Sequence, residues 1–250
     1  MTGVPHGLGE SADAGVFLAR LTRLDAAAVV RLRPAPGGGT ALWAALPWRV
    51  LVTRALAAAG PRDAAGAALD ATVPAAALRD ALAAGEPALP ARVDTQWRWP
   101  LPGGPGRTVE RVPVAALAAA AAAAGEALRR TLGQRAVGER VLRDALLDHV
   151  TITVNPDKSL DNSDDFAEPS REPVAVPQRL IQAVVRMGFL GALNGVAKRD
   201  VDVRVSGTWV GLAARYGTAW LPPTSGFTLN TQFVHTFGHD RLASSVQQWT

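Results

Sequence analysis

At 250 residues, with 48% hydrophobic and 19% charged side chains, the chain holds enough apolar material for a folded core, which excludes a disordered protein. A formal charge of +4 without any Lys/Arg block argues against a basic nucleic-acid arm. The absence of cysteine excludes disulfides, thiolate metal sites and thiol nucleophiles.

Arginine supplies nearly all the positive charge, since Lys158 and Lys198 are the only lysines. With Ala, Gly and Pro so abundant, that bias reads as a high-GC genome. Much of the apolar count is alanine, so the seven tryptophans are expected to carry a large share of the packing. Residues 1–15 lack the basic and apolar regions of a secretory signal, and the longest apolar run, 112–124, is too short to span a bilayer. A soluble, cytoplasmic protein is expected, with no membrane partner and no cofactor.

In chain order, Phe17, Leu18, Leu21 and Leu24 fall at helical spacing and predict a helix over 14–24 with Asp13 as its N-cap. Residues 28–33 alternate as a strand, and the Pro34–Gly39 turn joins them to a second strand over 40–46. Residues 48–56 suit strand or helix. A short strand over 71–73 feeds Val73-Pro74 and a helix that Gly85 stops. Residues 93–99 alternate Val, Thr, Trp and Trp against polar groups. They predict a strand whose hairpin partner is 107–112.

Val112-Pro113 opens an alanine-rich helix to about Leu132, and an apolar stripe from Val137 to Leu146 marks another. A strand over 151–154, a polar loop over 155–172 and a third junction, Val176-Pro177, lead into a helix ending before Gly188. A hairpin over 201–213 and a strand over 216–221 follow. The three strand-Val-Pro-helix corners, alternating with antiparallel hairpins, predict an α+β fold, because proline opens a helix without needing an amide donor. Two subdomains, 13–133 and 134–223, are expected, with 224–250 as a polar tail.

The stretches AVGERVLRDALLDHV (136–150), VPQRLIQAVVRMGFLG (176–191) and GTWVGLAARYGTAWLPP (207–223) resemble an uncharacterised protein family of high-GC Gram-positive bacteria. FLARLTRLDAAAVVRLRP (17–34) and ALWAALPWRVLVTRAL (41–56) resemble the same group. The resemblance implies no activity and assigns no catalytic or binding residue, because that family has no assigned function.

Three constellations carry possible chemistry. Asp157, Ser159, Asp161, Asp165 and Glu168 fall at positions one, three, five, nine and twelve of a calcium-loop pattern, as hard oxygen donors for Ca²⁺ would. Asn162 stands where the turn wants glycine, Asp164 where an aliphatic belongs, and Pro156 and Pro169 flank the loop, so an acidic solvated loop is the plainer reading. His235 and His239 have one-turn spacing, but Gly238 lies between them and a polar tail explains them as well. Arg199, Arg204 and Arg215, with Arg186 and Lys198 nearby and Trp209, Tyr216 and Trp220 interleaved, could meet nucleic acid through a helix and a hairpin, although Asp200 and Asp202 dilute the charge. No catalytic motif is recognisable. The expected function is a binding or protein-interaction module, with nucleic-acid binding, or an enzyme site between the two halves, as alternatives.

Overall fold

The structure, a computed structural model, describes residues 3–132, 139–154, 173–191 and 200–223. Helix α1 (Ala12–Leu24) buries Ala14, Phe17, Leu18 and Leu21, the face that the spacing predicts. Its N-cap is Ser11 and not Asp13: the serine hydroxyl accepts the Ala14 amide at 3.2 Å. Asp13 sits in the first turn instead, where its charge still favours the positive end of the helix.

Strands β1 (Val29–Pro34), β2 (Thr40–Leu46) and β3 (Val50–Leu56) form an antiparallel meander. The ambiguous 48–56 segment is thus a strand, entered through Arg49, whose φ of 63° is the one positive value outside glycine among the described residues. Strand β4 (Ala71–Pro74) returns to pair with β1 and runs into α2 (Ala75–Ala84), which ends at Gly85 in the left-handed conformation, φ 69°.

Strand β5 (Arg107–Pro113) leads into α3 (Val114–Leu132). Helix α4 (Glu139–Asp148) and the two-stranded sheet of β6 (Val150–Val154) and β7 (Val174–Pro177) come next. Then follow α5 (Gln178–Arg186), β8 (Asp200–Ser206), β9 (Trp209–Ala214) and β10 (Gly217–Leu221). The α+β class is as expected. Among the described residues no helix is long and apolar enough to cross a membrane.

All three Val-Pro corners turn strand into helix, one residue differently from expectation. Pro74 and Pro177 end their strands and serve as N-caps, with extended ψ values of 128° and 157°, instead of occupying the first helical turn. Neither cap has a side-chain acceptor, so neighbouring backbone supplies it. The Ala75 amide donates to the Ala28 carbonyl at 2.9 Å, and the Gln178 amide to the His149 carbonyl at 2.8 Å. Pro74 and Pro113 lie on the two outermost strands of the large sheet, where a missing ladder donor is tolerated.

The predicted strand over 93–99 is not formed. Val93 donates its amide to the Thr72 carbonyl at 2.7 Å, and the Asp94 carboxylate accepts the Thr72 amide at 2.7 Å. These clip the segment to the edge of β4 as a single 3₁₀ turn, Asp94–Gln96. Its supposed partner, β5, pairs with β8 instead. The alternation of Trp97 and Trp99 reflects two rings turned towards one sheet, not a pleat.

The large sheet has eight antiparallel strands in the order β4-β1-β2-β3-β10-β9-β8-β5. This order is a palindrome of two like halves. Each half has a three-stranded meander, a helix preceding it (α1 or α5), and an outer strand leading through proline into a second helix (α2 or α3). The halves meet where β3 pairs with β10. In the second half the strand-Pro-helix piece precedes the meander in sequence, and in the first it follows. The expected cut at 133 falls between α3 and α4, and the sheet takes strands from both sides of it.

The helices pack on one face, burying Val30, Leu32, Leu42, Val52, Val203, Leu212 and Ala219 against Leu18, Leu78, Leu117 and Leu180 in one core. Alternate strand residues face the other way. A second, smaller cluster forms there from Leu51, Trp209 and Trp220, covered by Trp97, Trp99 and Leu101.

Candidate functional site

Strand register lays out the outer face in rows. One row runs Ala45, Leu51, Trp220, Gly211, Arg204 from β2 through to β8. The next runs Arg31, Trp43, Thr53, Thr218, Ala213, Asp202, and beyond it lie Arg33, Ala41 and Ala55. Trp97, Trp99 and Leu101 cover the first row. Trp220 lies flat over Gly211, where an added Cβ would come within 2.6 Å of the ring, so only glycine fits beneath it. The Trp97 indole N–H donates to the Trp99 carbonyl at 2.6 Å, which fixes the covering segment in its bend.

The remaining rows stay open and form a cleft of about 480 Å³. Its floor is small (Ala41, Thr53, Ala55, Thr218) between Trp43 and Trp220, and Pro102-Gly103-Gly104-Pro105 makes one wall. Arg33, Arg54, Arg204 and Arg215 line it, Arg54 from a strand position whose side chain turns to the helix face, and among the described residues the lining contains no carboxylate, histidine, serine, lysine or tyrosine. Two carboxylates stand at its margin, Asp70 against Arg33 and Asp202 against Arg204. What it offers is guanidinium donors above a shallow, partly apolar floor.

The arginines are held in different ways. Arg31, behind the cleft, makes a bidentate contact with Asp70 at 2.6 and 2.8 Å and stacks on Trp97 at 5.5 Å. That hydrogen bonding to Asp70 raises the Arg31 pKa above its ordinary value. Arg33 shares Asp70, with Nε 2.9 Å from the carboxylate but not aligned for a hydrogen bond. Arg204 contacts Asp202 at 3.0 Å through one terminal nitrogen, while its Nε is buried without a hydrogen-bond partner. Arg54 pairs with Asp13 towards the helix side. Arg54 and Arg215 flank the Tyr216 ring at 5.2 and 5.1 Å. Arg215, exposed in the β9–β10 turn, has no ion pair among the described residues.

Of the sequence-derived nucleic-acid candidates, Arg204 and Arg215 come together in this cleft, and Arg199 lies outside the described residues. Arg186, on α5, is elsewhere: it stacks on Trp48 at 5.7 Å on the helix side. Nearby, burial and then Arg49 push the Arg179 pKa down, partly opposed by Asp144. The helix and the hairpin therefore turn these arginines to opposite faces of the sheet. The calcium candidates Asp157, Ser159, Asp161, Asp165 and Glu168 lie outside the described residues, as do His235 and His239. Among the described residues no group of three His, Cys, Asp or Glu is placed to hold a metal ion.

A second cavity of about 400 Å³ lies on the helix side between Asp13, Phe17, Arg20, Phe189 and Tyr216. Phe17 and Phe189 stack at 6.4 Å there, and Arg20 donates to the Met187 carbonyl at 2.6 Å. These contacts join α1 to the end of α5.

Residues 101–226 match the family model described as Domain of unknown function (DUF8185). The chain belongs to that family. Residues 5–99 match a second model, Domain of unknown function (DUF8010). The seam between the two matches falls at Pro100, inside the segment that crosses the outer face, so the cleft of this DUF8185 protein is lined from both sides of the seam. No curated protein matches the chain. Among solved structures, the chain is similar to the DNA polymerase III subunit beta from Pseudomonas aeruginosa at 15% identity, with a TM-score of 0.43. That alignment covers 91% of this chain and 66% of the other, just under two thirds. Likeness at that level carries neither fold nor activity across.

Arg33, Arg54 and Trp43 were not singled out by the sequence. The alternation Val30-Arg31-Leu32-Arg33 does place two arginines on a face away from the core. No local signal says that this face is shared with residues some 170 positions further along the chain, such as Arg204.

Proposed function

We propose that this protein is a binding module that receives an anionic part of a partner macromolecule in the outer-face cleft. One observation carries the reading: arginines contributed by both family segments line one cleft whose lining, among the described residues, holds no carboxylate, with Asp70 and Asp202 only at its margin. Guanidinium groups suit carboxylate and phosphate, since they present paired donors and stay charged at every working pH. The lack of acid–base groups in the lining supports binding over catalysis. A cytoplasmic setting, expected from the sequence, is part of the same proposal.

The test is a titration with polyglutamate at low salt, read by tryptophan fluorescence because Trp43 and Trp220 border the cleft. Arg33→Glu, Arg204→Glu and Arg215→Glu combined should weaken binding at least tenfold. Arg23→Glu, exposed on α1 on the other side of the sheet, should change it less than twofold. If single Arg23→Glu and Arg215→Glu variants lose affinity equally, binding follows net charge alone and the proposal fails.

A further inference from the structure

The spacing of the arginines across the sheet narrows the occupant of the cleft, an inference that rests on the binding reading above. Arg33 is on β1, Arg215 at the β9–β10 turn and Arg204 on β8. By strand order Arg33 and β10 are three inter-strand steps apart, and Arg33 and Arg204 five. At about 4.8 Å per step these are roughly 14 and 24 Å. A single phosphate or carboxylate cannot touch both ends of such a site. The occupant is therefore extended, with negative charge at separated points.

Two polymers meet that description, and the floor distinguishes them. Single-stranded nucleic acid needs exposed aromatic faces on which bases can stack. Here Trp220 is 3% exposed and lies against Gly211, Trp209 is 8% exposed, and Trp97 is overlaid by the Arg31 guanidinium, which leaves half-buried Trp43 as a lone partly open ring at the cleft and no platform for successive bases. The open floor is instead Ala41, Thr53, Ala55 and Thr218, which suits short side chains in an extended backbone. The positive charge is also moderated, Arg33 by Asp70 and Arg204 by Asp202. A continuous run of phosphates would meet those carboxylates, whereas a peptide can place a few acidic residues beside the arginines and none beside the aspartates. We infer that the cleft binds an extended acidic peptide segment of a protein partner, crossing the strands with acidic residues towards Arg33 at one end and Arg204 and Arg215 at the other. At about 3.3 Å per residue, the full span takes roughly seven residues.

The experiment uses the full chain at 0.15 M salt and four probes. These are an octapeptide with paired glutamates at each end and Ala-Val repeats between, the tripeptide Glu-Ala-Glu, an eight-nucleotide oligothymidylate, and inorganic triphosphate. The octapeptide should bind at least tenfold more tightly than each of the others. Arg33→Gln and Arg215→Gln should each weaken the octapeptide about fivefold, and the double variant more than either. Thermal unfolding of each variant within a few degrees of the parent shows that the loss is not one of folding. Tighter binding of oligothymidylate with the same arginine dependence would overturn the peptide assignment and leave the cleft as an anion site. Equal affinity for the tripeptide and octapeptide would overturn the span argument. If no probe binds in a way that depends on Arg33 or Arg215, the cleft reading itself is lost.

Discussion

The two faces of the eight-stranded sheet are built from the same strands, yet they follow different rules. On the helix face every strand contributes Val, Leu or Ala to one continuous core, and Leu18, Leu42, Leu180 and Leu212 are wholly buried. On the outer face the same strands carry Arg, Thr, Trp and Asp. Only part of that face is dry, beneath a single irregular segment holding Trp97, Trp99 and Leu101. The difference separates what stabilises the sheet from the face to which binding is proposed. The helix face holds the fold together, while the outer face is left half-covered and charged. A stable sheet can therefore present a binding surface without sacrificing its core.

The comparison breaks most decisively if core variants disturb the cleft. Leu180→Ala, wholly buried on α5, should cost about 3 kcal/mol, measured by urea unfolding, and should leave polyglutamate affinity unchanged where the protein stays folded. Reduced affinity in the folded variant would mean that the faces are coupled.

Gly211→Ala tests the outer face with a smaller expected effect, about 2 kcal/mol, because the new methyl group drives Trp220 off its seat. Unlike the core variant, it should also shift tryptophan emission and weaken cleft binding. An unchanged spectrum would show that Trp220 is not held against the strand.

Ser11→Ala removes the α1 cap and should cost about 1 kcal/mol, a fall in Tm of roughly 2–4 °C, with no effect on binding. Arg49→Gly should do the reverse, raising stability by about 0.5 kcal/mol, since glycine adopts a φ of 63° freely. A loss at Arg49 would show that its side chain contributes more than its backbone strain costs. Smallest of all, Arg215→Ala should change stability by less than about 0.5 kcal/mol, because the residue is an exposed turn arginine without an ion pair among the described residues. Its effect should be confined to ligand affinity.

Local chemistry was legible in proportion to how local it is. The corners at Pro74, Pro113 and Pro177, the stop at Gly85 and the apolar stripe of α1 each depend on a few consecutive residues, and each is found with small shifts. The failures have one cause. Residues 93–99 alternate as a strand would, but two tryptophans two positions apart can equally face a sheet from a loop, and only the hydrogen bonds to Thr72 decide between these. Arg204 and Arg215 stood out from the sequence as a basic and aromatic cluster. Arg33 did not, because its meaning depends on a neighbour contributed by the other half of the chain.

The sequence by itself determined the α+β class, the placement of α1, α2 and α5 to within a residue or two, the proline corners and which strand residues are apolar, since backbone propensity and side-chain periodicity act over a turn or a pleat. Tertiary structure alone decided that β5 pairs with β8, that β3 meets β10, and that the Trp97–Leu101 segment crosses the outer face. Those outcomes depend on which edges and apolar faces remain unsatisfied once the local elements exist. The cleft is made by that second level, from side chains that no short window of the sequence brings together.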